Sequence, residues 1–210
     1  MFGIHDFLLF LAAALLLNIT PGADMLYTLS SSAAAGTRAG ILAALGIFTG
    51  TLFHIAFAVA GLSALLAASA TAFALVKYVG AAYLVYLGIR LLLQPSGRTA
   101  PATTPDARRN LVQVFRQGVL INLFNPKIAL FFLAFLPQFI DTDSTQRALA
   151  FLLLGLTFNC SGACVNSIAA WFASSVGRRM QGASRPAWWL KKTAGGLFMG
   201  LGIRLAFSQG

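Results

Sequence analysis

Asn18-Ile-Thr20-Pro21-Gly22-Ala23-Asp24, and in the second half of the chain Asn122-Leu-Phe-Asn125-Pro126-Lys127, are the stretches on which the fold turns. Each sets a proline inside a long apolar run. Proline has no backbone N–H and its ring clashes with the preceding turn, so a helix stops or kinks there. Both stretches also carry restart signals, because Thr20 or Asn125 suits an N-cap and proline suits the first helical position. The expectation is two broken helices, each leaving a half-helix N-terminus whose free amides and positive dipole end attract an anion such as a carboxylate. Gly22 lets the backbone approach a ligand closely. For a single break the alternative is a proline that only kinks a membrane helix.

The surrounding runs make lipid the solvent. Of 210 residues, 58% are hydrophobic and 10% are charged, against about a quarter charged in a soluble domain. Segments long enough to cross a bilayer cover residues 4–31, 40–66, 71–93, 116–140, 148–176 and 193–208. The N-terminus reads as a retained first span and not a signal peptide, since Asp6 stands where a basic region belongs. In the third span Lys77 and Arg90 lie 13 residues apart and can snorkel outward from its two ends. The stretch 94–115, rich in Pro, Thr and Arg, reads as a solvated cytoplasmic loop. The whole chain, 1–210, reads as one all-α membrane domain of six helices.

Net charge is +10, with five Asp and no Glu. Because the positive charges sit in short loops between apolar runs, they read as membrane orientation and not as nucleic-acid binding. Eleven of the 15 Lys and Arg fall on one side of a six-span topology. That side should be cytoplasmic, with both termini periplasmic in a bacterial inner membrane. Cys160 and Cys164 share a helix face at i, i+4, where two thiols make a poor metal site and small packing residues are the plainer reading.

The chain repeats itself. Leu87-Gly-Ile-Arg90-Leu91 returns as Leu201-Gly-Ile-Arg204-Leu205, Arg38-Ala39 with Gly46 returns as Arg147-Ala148 with Gly155, and Thr20-Pro21 returns as Asn125-Pro126. Lys77 and Lys191 each stand 13 residues before their arginine. Residues 1–93 and 116–210 thus form two halves of three helices. An odd number forces the second half to enter the membrane inverted, and inverted repeats with interrupted helices mark secondary transporters.

Ionisable groups at membrane depth are costly and functional by default. Asp24 suits a substrate ammonium group or a coupling proton. Lys127 suits a partner for Asp24 or for a substrate carboxylate, and simple mutual neutralisation of the two is the plainer alternative. His54 suits a proton relay or a buried imidazole bonded to a backbone carbonyl. Asn18 and Asn122, each one turn before a break, offer groups to a zwitterion or to the unpaired backbone. Asn159, Ser161 and Asn166 carry the same two readings. Gly36, Gly40, Gly46 and Gly50 point to close helix packing.

The chain resembles a family of bacterial amino-acid exporters named for lysine export and for homoserine/threonine resistance. The resemblance rests on Thr20-Pro21-Gly22-x-Asp24, on Gly36-Thr-Arg-Ala-Gly40 leading to Gly46, Gly50 and His54, and on Lys77-Tyr-Val-Gly-Ala-Ala-Tyr-Leu-Val-Tyr-Leu-Gly88. Most specific is Asn122-Leu-Phe-Asn-Pro-Lys-Ile-Ala-Leu-Phe-Phe-Leu-Ala-Phe-Leu-Pro137-Gln-Phe. It extends over essentially the whole chain. It implies an inner-membrane exporter of amino acids or close derivatives, driven by protons, with no cofactor; the overall pattern is nearer the homoserine/threonine branch. Where the family has Pro-Gly-Pro, this chain has Pro21-Gly22-Ala23, so the first break loses one stiffening proline.

The expected substrate site is Asn18, Thr20, Pro21, Gly22, Asp24, Asn122, Asn125, Pro126 and Lys127, with Asp24 and His54 handling protons. Besides its substrate, protons and lipid, a second copy of the chain remains an open partner. The competing reading is a cation or metal exporter on the same scaffold, for which Asp24 and His54 are too few ligands. An enzyme would need an oriented nucleophile and base, which two histidines and no glutamate do not supply.

Overall fold

The computed structural model of the chain describes residues 2–62, 110–141 and 143–175, with single residues between 78 and 93 and between 196 and 203. The third and sixth expected spans, most of the loop between the halves, and Lys77, Arg90, Lys191 and Arg204 lie outside the described residues. Among those residues every regular element is a helix.

Helix α1, Phe7–Ile19, is apolar on all sides until Asn18. At 13 residues it rises only about 20 Å, too short to cross a bilayer alone. It ends two residues before Pro21, and the amide and hydroxyl of the C-cap Thr20 both close back on Leu16 O, at 2.9 and 2.6 Å. Helix α2, Ala23–Ala35, starts after Gly22, whose extended backbone (φ −135°, ψ −173°) serves as the N-cap. This corrects the expectation that Thr20 caps the second half-helix with Pro21 at its first position. Thr20 closes the first half-helix instead, and the restart falls two residues later, at Ala23. The halves meet at a 48° bend.

Gly36 turns the chain with φ +83°, a left-handed conformation open to glycine at little cost. Helix α3, Thr37–Phe57, follows and widens into a π turn at Ala58–Leu62. Helix α4, Leu111–Leu123, begins inside the stretch read as loop, because the Asn110 side chain caps it by accepting from Val112 N at 3.1 Å. At the second break Asn125 and Pro126 behave as their residue types predict: Asn125 Oδ1 accepts from Lys127 N at 3.0 Å and Pro126 opens the next turn. Helix α5, Pro126–Leu130, continues as a π turn, Phe131–Phe135, and a 3-10 turn, Leu136–Phe139. It stands at 45° to α4. Helix α6, Arg147–Ser175, is one unbroken run of 29 residues. Among the described residues two helices, within 37–61 and 147–174, are long and apolar enough to cross a membrane, and each bent pair adds a span if it counts as one.

The helices are held by two different contacts. Helices α3 and α4 run parallel and touch backbone to backbone. A Cβ at Gly118 would lie 2.7 Å from Ala43 O, and one at Gly46 would strike Phe115 O. Such close approach is what small residues allow between helices in lipid. On the other side, Phe10, Phe131, Phe132, Phe135, Phe139 and Phe158 form a buried aromatic plug joining α1, α5 and α6. Phe131 stacks on Phe158 with ring centroids 4.5 Å apart.

One end of the molecule ties the N-terminal segment to the end of α5, through His5 N to Phe139 O at 3.1 Å and Asp141 N to Gly3 O at 2.8 Å. At the opposite end α6 is tied to α2 and α3 by the Ser32 hydroxyl on Ala170 O, 2.5 Å, and by a short Thr37–Ser174 hydroxyl contact. Asp6, Asp141 and Asp143 belong to the first end, Arg38 to the second.

Candidate functional site

Each proline strips a partner from the carbonyl four residues before it, Leu17 O for Pro21 and Asn122 O for Pro126. A buried carbonyl without a partner is expensive; Asn125 N reaches Asn122 O at 2.9 Å within the break, and side chains from outside the broken helix reach both carbonyls. The Lys127 ammonium donates to Leu17 O at 2.8 Å and to Thr20 O at 3.1 Å. A cation there also faces the negative dipole end of α1. His54 Nε2 meets Asn122 O at 3.1 Å, with the imidazole stacked on Phe132. The two breaks are therefore braced from elsewhere in the chain, the first by the residue that follows the second proline.

Among the described residues no ion pair joins Lys127 to Asp24; the lysine spends two of its donors on backbone oxygens. Of the two readings for His54, the bond to a backbone carbonyl is the one observed. It orients the ring with Nε2–H donating, which leaves Nδ1 as the nitrogen able to take a proton.

Asp24 lies in the first turn of α2, where its negative charge matches the helix dipole. The half-helix N-terminus expected to draw in an anion thus already carries a carboxyl group of the chain itself. The carboxylate is 8% exposed. Its Oδ2 accepts from Asn122 Nδ2 at 3.1 Å, while Oδ1 completes no hydrogen bond. Asn122 is the junction: its Oδ1 meets the Thr51 hydroxyl at 3.2 Å and its backbone carbonyl meets His54. Gly50 makes room for it, since a Cβ there would stand 2.8 Å from Asn122 Cβ.

Between α2, α3, α4 and α6 is an enclosed cavity that admits water centres in about 20 Å³, room for a single water. Its polar wall is Asn18, Asp24, Thr51, Asn122, Asn159 and Asn166. Of the residues expected in the site, the fold brings Asn18, Asp24 and Asn122 to this wall. Thr20, Pro21, Gly22, Asn125, Pro126 and Lys127 form the frame behind it, and a Cβ at Gly22 would come 3.2 Å from Lys127 Nζ. Thr51 is not among the expected site residues; its signal in the sequence is a position one turn before His54 on the same helix. Asn159 and Asn166 carry the polar signal but needed the fold to face them inward. The cysteines are exposed on α6, and among the described residues no three His, Cys, Asp or Glu side chains gather to hold a metal ion.

Comparison with known proteins bears on the chain as a whole. Residues 15–209 match the family model described as LysE type translocator. An uncharacterized membrane protein of Vibrio cholerae is 36% identical over 206 residues, 98% of either chain. One of Pseudomonas aeruginosa is 34% identical over 97% of this chain and 96% of its own. A leucine efflux protein of Salmonella typhimurium is 30% identical over 211 residues, 99% of this chain and 98% of its own. No solved structure matches the chain.

Proposed function

We propose that this chain, which belongs to the family of LysE type translocators, is a proton-coupled secondary exporter of amino acids or close derivatives across the bacterial inner membrane. Its substrate would bind near the midplane, between the two broken helices. The observation that carries this reading is Asp24: a buried carboxylate on the wall of a polar cavity with one oxygen free of partners. Leucine efflux relatives over nearly the full length point to amino acids as cargo, with leucine the first to try.

Exchange follows from the chemistry of a single carboxylate. Asp24 can neutralise an ammonium group or carry a proton, and each excludes the other. A carrier that must hold one or the other when it reorients moves them in opposite directions. His54, one hydrogen bond from Asn122 and so two from Asp24, is the second proton-handling group, through Nδ1. The cavity is too small for an amino acid, so loading requires the helices to part. The breaks at Pro21 and Pro126 are the hinges, and their similar bends (48° and 45°) support two inverted halves that rock about one site. The directions of the helices support it further: α3 and α4 are parallel, so the two broken pairs run oppositely. In this reading the end carrying Arg38 faces the cytoplasm and the termini lie outside.

Expression in a bacterium challenged with toxic amino acids and their analogues tests the reading. Wild-type protein should raise resistance to at least one of them, and Asp24→Asn should abolish the protection. Protection against a metal cation alone, with none against any amino acid, would replace it by the cation-exporter reading.

A further inference from the structure

The cavity wall is chemically one-sided. Three of its four asparagines turn their amide nitrogens into the protein: Asn18 Nδ2 donates to Phe158 O, Asn159 Nδ2 to Phe48 O and Asn166 Nδ2 to Gly162 O, each at 3.1 Å. A backbone carbonyl cannot donate, so these partners fix which end of each amide points away. Asn122 Nδ2 is taken by Asp24 Oδ2 at 3.1 Å. The Thr51 hydroxyl, with one proton, is shared between Ile47 O and Asn122 Oδ1. Each amide nitrogen on the described wall thereby has at least one of its two N–H groups committed. Two acceptors, Asp24 Oδ1 and Asn166 Oδ1, are buried without a hydrogen bond, in residues 8% and 6% exposed. No basic side chain is among the described lining residues.

A carboxylate entering this space would meet the Asp24 carboxyl group with no basic side chain on the described wall to offset it. A group with three N–H donors, one positive charge and the size of a water molecule meets its complement. We infer that the cavity between α2, α3, α4 and α6 is a subsite for the primary ammonium group of the substrate, and that the carboxylate is recognised elsewhere. The inference rests on the export reading and sharpens it: the transporter selects its cargo by the amine end. Asp24 supplies the charge and Asn166 a second acceptor. Substrates with a free primary amine and a masked carboxylate are accepted, and those with a masked or absent amine are refused.

The test uses purified full-length protein in detergent, with the thermal unfolding midpoint read against leucine, leucinamide, N-acetylleucine and 2-hydroxy-4-methylpentanoate. If the resistance screen selects another amino acid, the corresponding four derivatives of that one are used. Leucine and leucinamide should both protect. The acetylated and hydroxy compounds should need at least about tenfold higher concentration, the scale of one charge-assisted hydrogen bond. Asp24→Asn should erase the preference for the amine, Asp24→Glu should keep it, and Asn166→Leu should reduce it; each variant is read against its own unliganded midpoint, which also reports folding. Equal protection by the hydroxy acid and the amide would overturn the inference, as would an amine preference that survives Asp24→Asn. Either result can stand beside undiminished amino-acid export, whereas export of no amino acid would strike the export reading itself.

Discussion

At the scale of the residue, Lys127 has the role that its neighbours in sequence least suggest. An ammonium beside an intramembrane aspartate invites an ion pair, yet its bonds go to Leu17 O and Thr20 O. These are backbone atoms exposed by a proline in another helix, and a backbone carbonyl leaves no trace in residue type, which is why sequence does not reveal the partnership. Lys127→Met keeps much of the side chain's bulk and removes both bonds. We expect it to destabilise the protein by roughly 2–3 kcal/mol, the scale of hydrogen bonds to a charged group, seen as a lower unfolding midpoint in detergent; an unchanged midpoint would mean that the carbonyls find other partners. Asn125 is the contrary case, its cap readable in advance because Asn before Pro is a local signal. Asn125→Ala should cost about 1 kcal/mol by the same assay, with no loss if the cap contributes nothing.

Among the elements, the parallel seam of α3 and α4 and the inward face of α2 make different demands. Gly118→Leu would drive a side chain into Ala43 O and Ile47 N. It should cost about 1–3 kcal/mol as an overpacked interface and part the helices that position His54 and Asn122, so export should fall with stability. Retained midpoint and export would show that the seam yields. On α2, Asp24, Thr28 and Ser31 recur at i, i+4 and i+7, all buried, with Asp24 Oδ1 and both hydroxyls unpartnered. They form a polar line leading from the cavity toward the end that holds Arg38, while the phenylalanine plug closes the way to the other end. Thr28→Cys and Ser31→Cys should therefore react with a small hydrophilic thiol reagent added from the Arg38 side and be protected by substrate; labelling from the opposite side only would place the route elsewhere. Helix periodicity lets this line be drawn from sequence, but not the element it faces. The same holds for Asn159 and Asn166, whose inward aim depends on how α6 is rotated.

For the whole molecule, sequence was most informative where covalent chemistry forces the outcome. Apolar runs require helices in lipid, and prolines require breaks. The first restart moved from Pro21 to Ala23 because Gly22 adopts an extended backbone that caps the helix by itself, a choice Thr-Pro does not announce. Membership of the translocator family bears out the resemblance read from the Asn-Pro-Lys segment, while the homoserine/threonine branch finds no specific counterpart in relatives named for leucine efflux. The amide orientations of Asn18 and Asn159 come from tertiary contacts, with Phe158 O and Phe48 O. Exchange of an amino acid for a proton at Asp24 is put to the test in everted membrane vesicles. With a proton gradient imposed, acid inside, vesicles bearing the wild-type protein should accumulate labelled leucine, or whichever amino acid the resistance screen selects. Collapse of the gradient by a protonophore should abolish accumulation, and Asp24→Asn vesicles should accumulate none. Accumulation by Asp24→Asn equal to wild type, or indifferent to the gradient, would contradict the account.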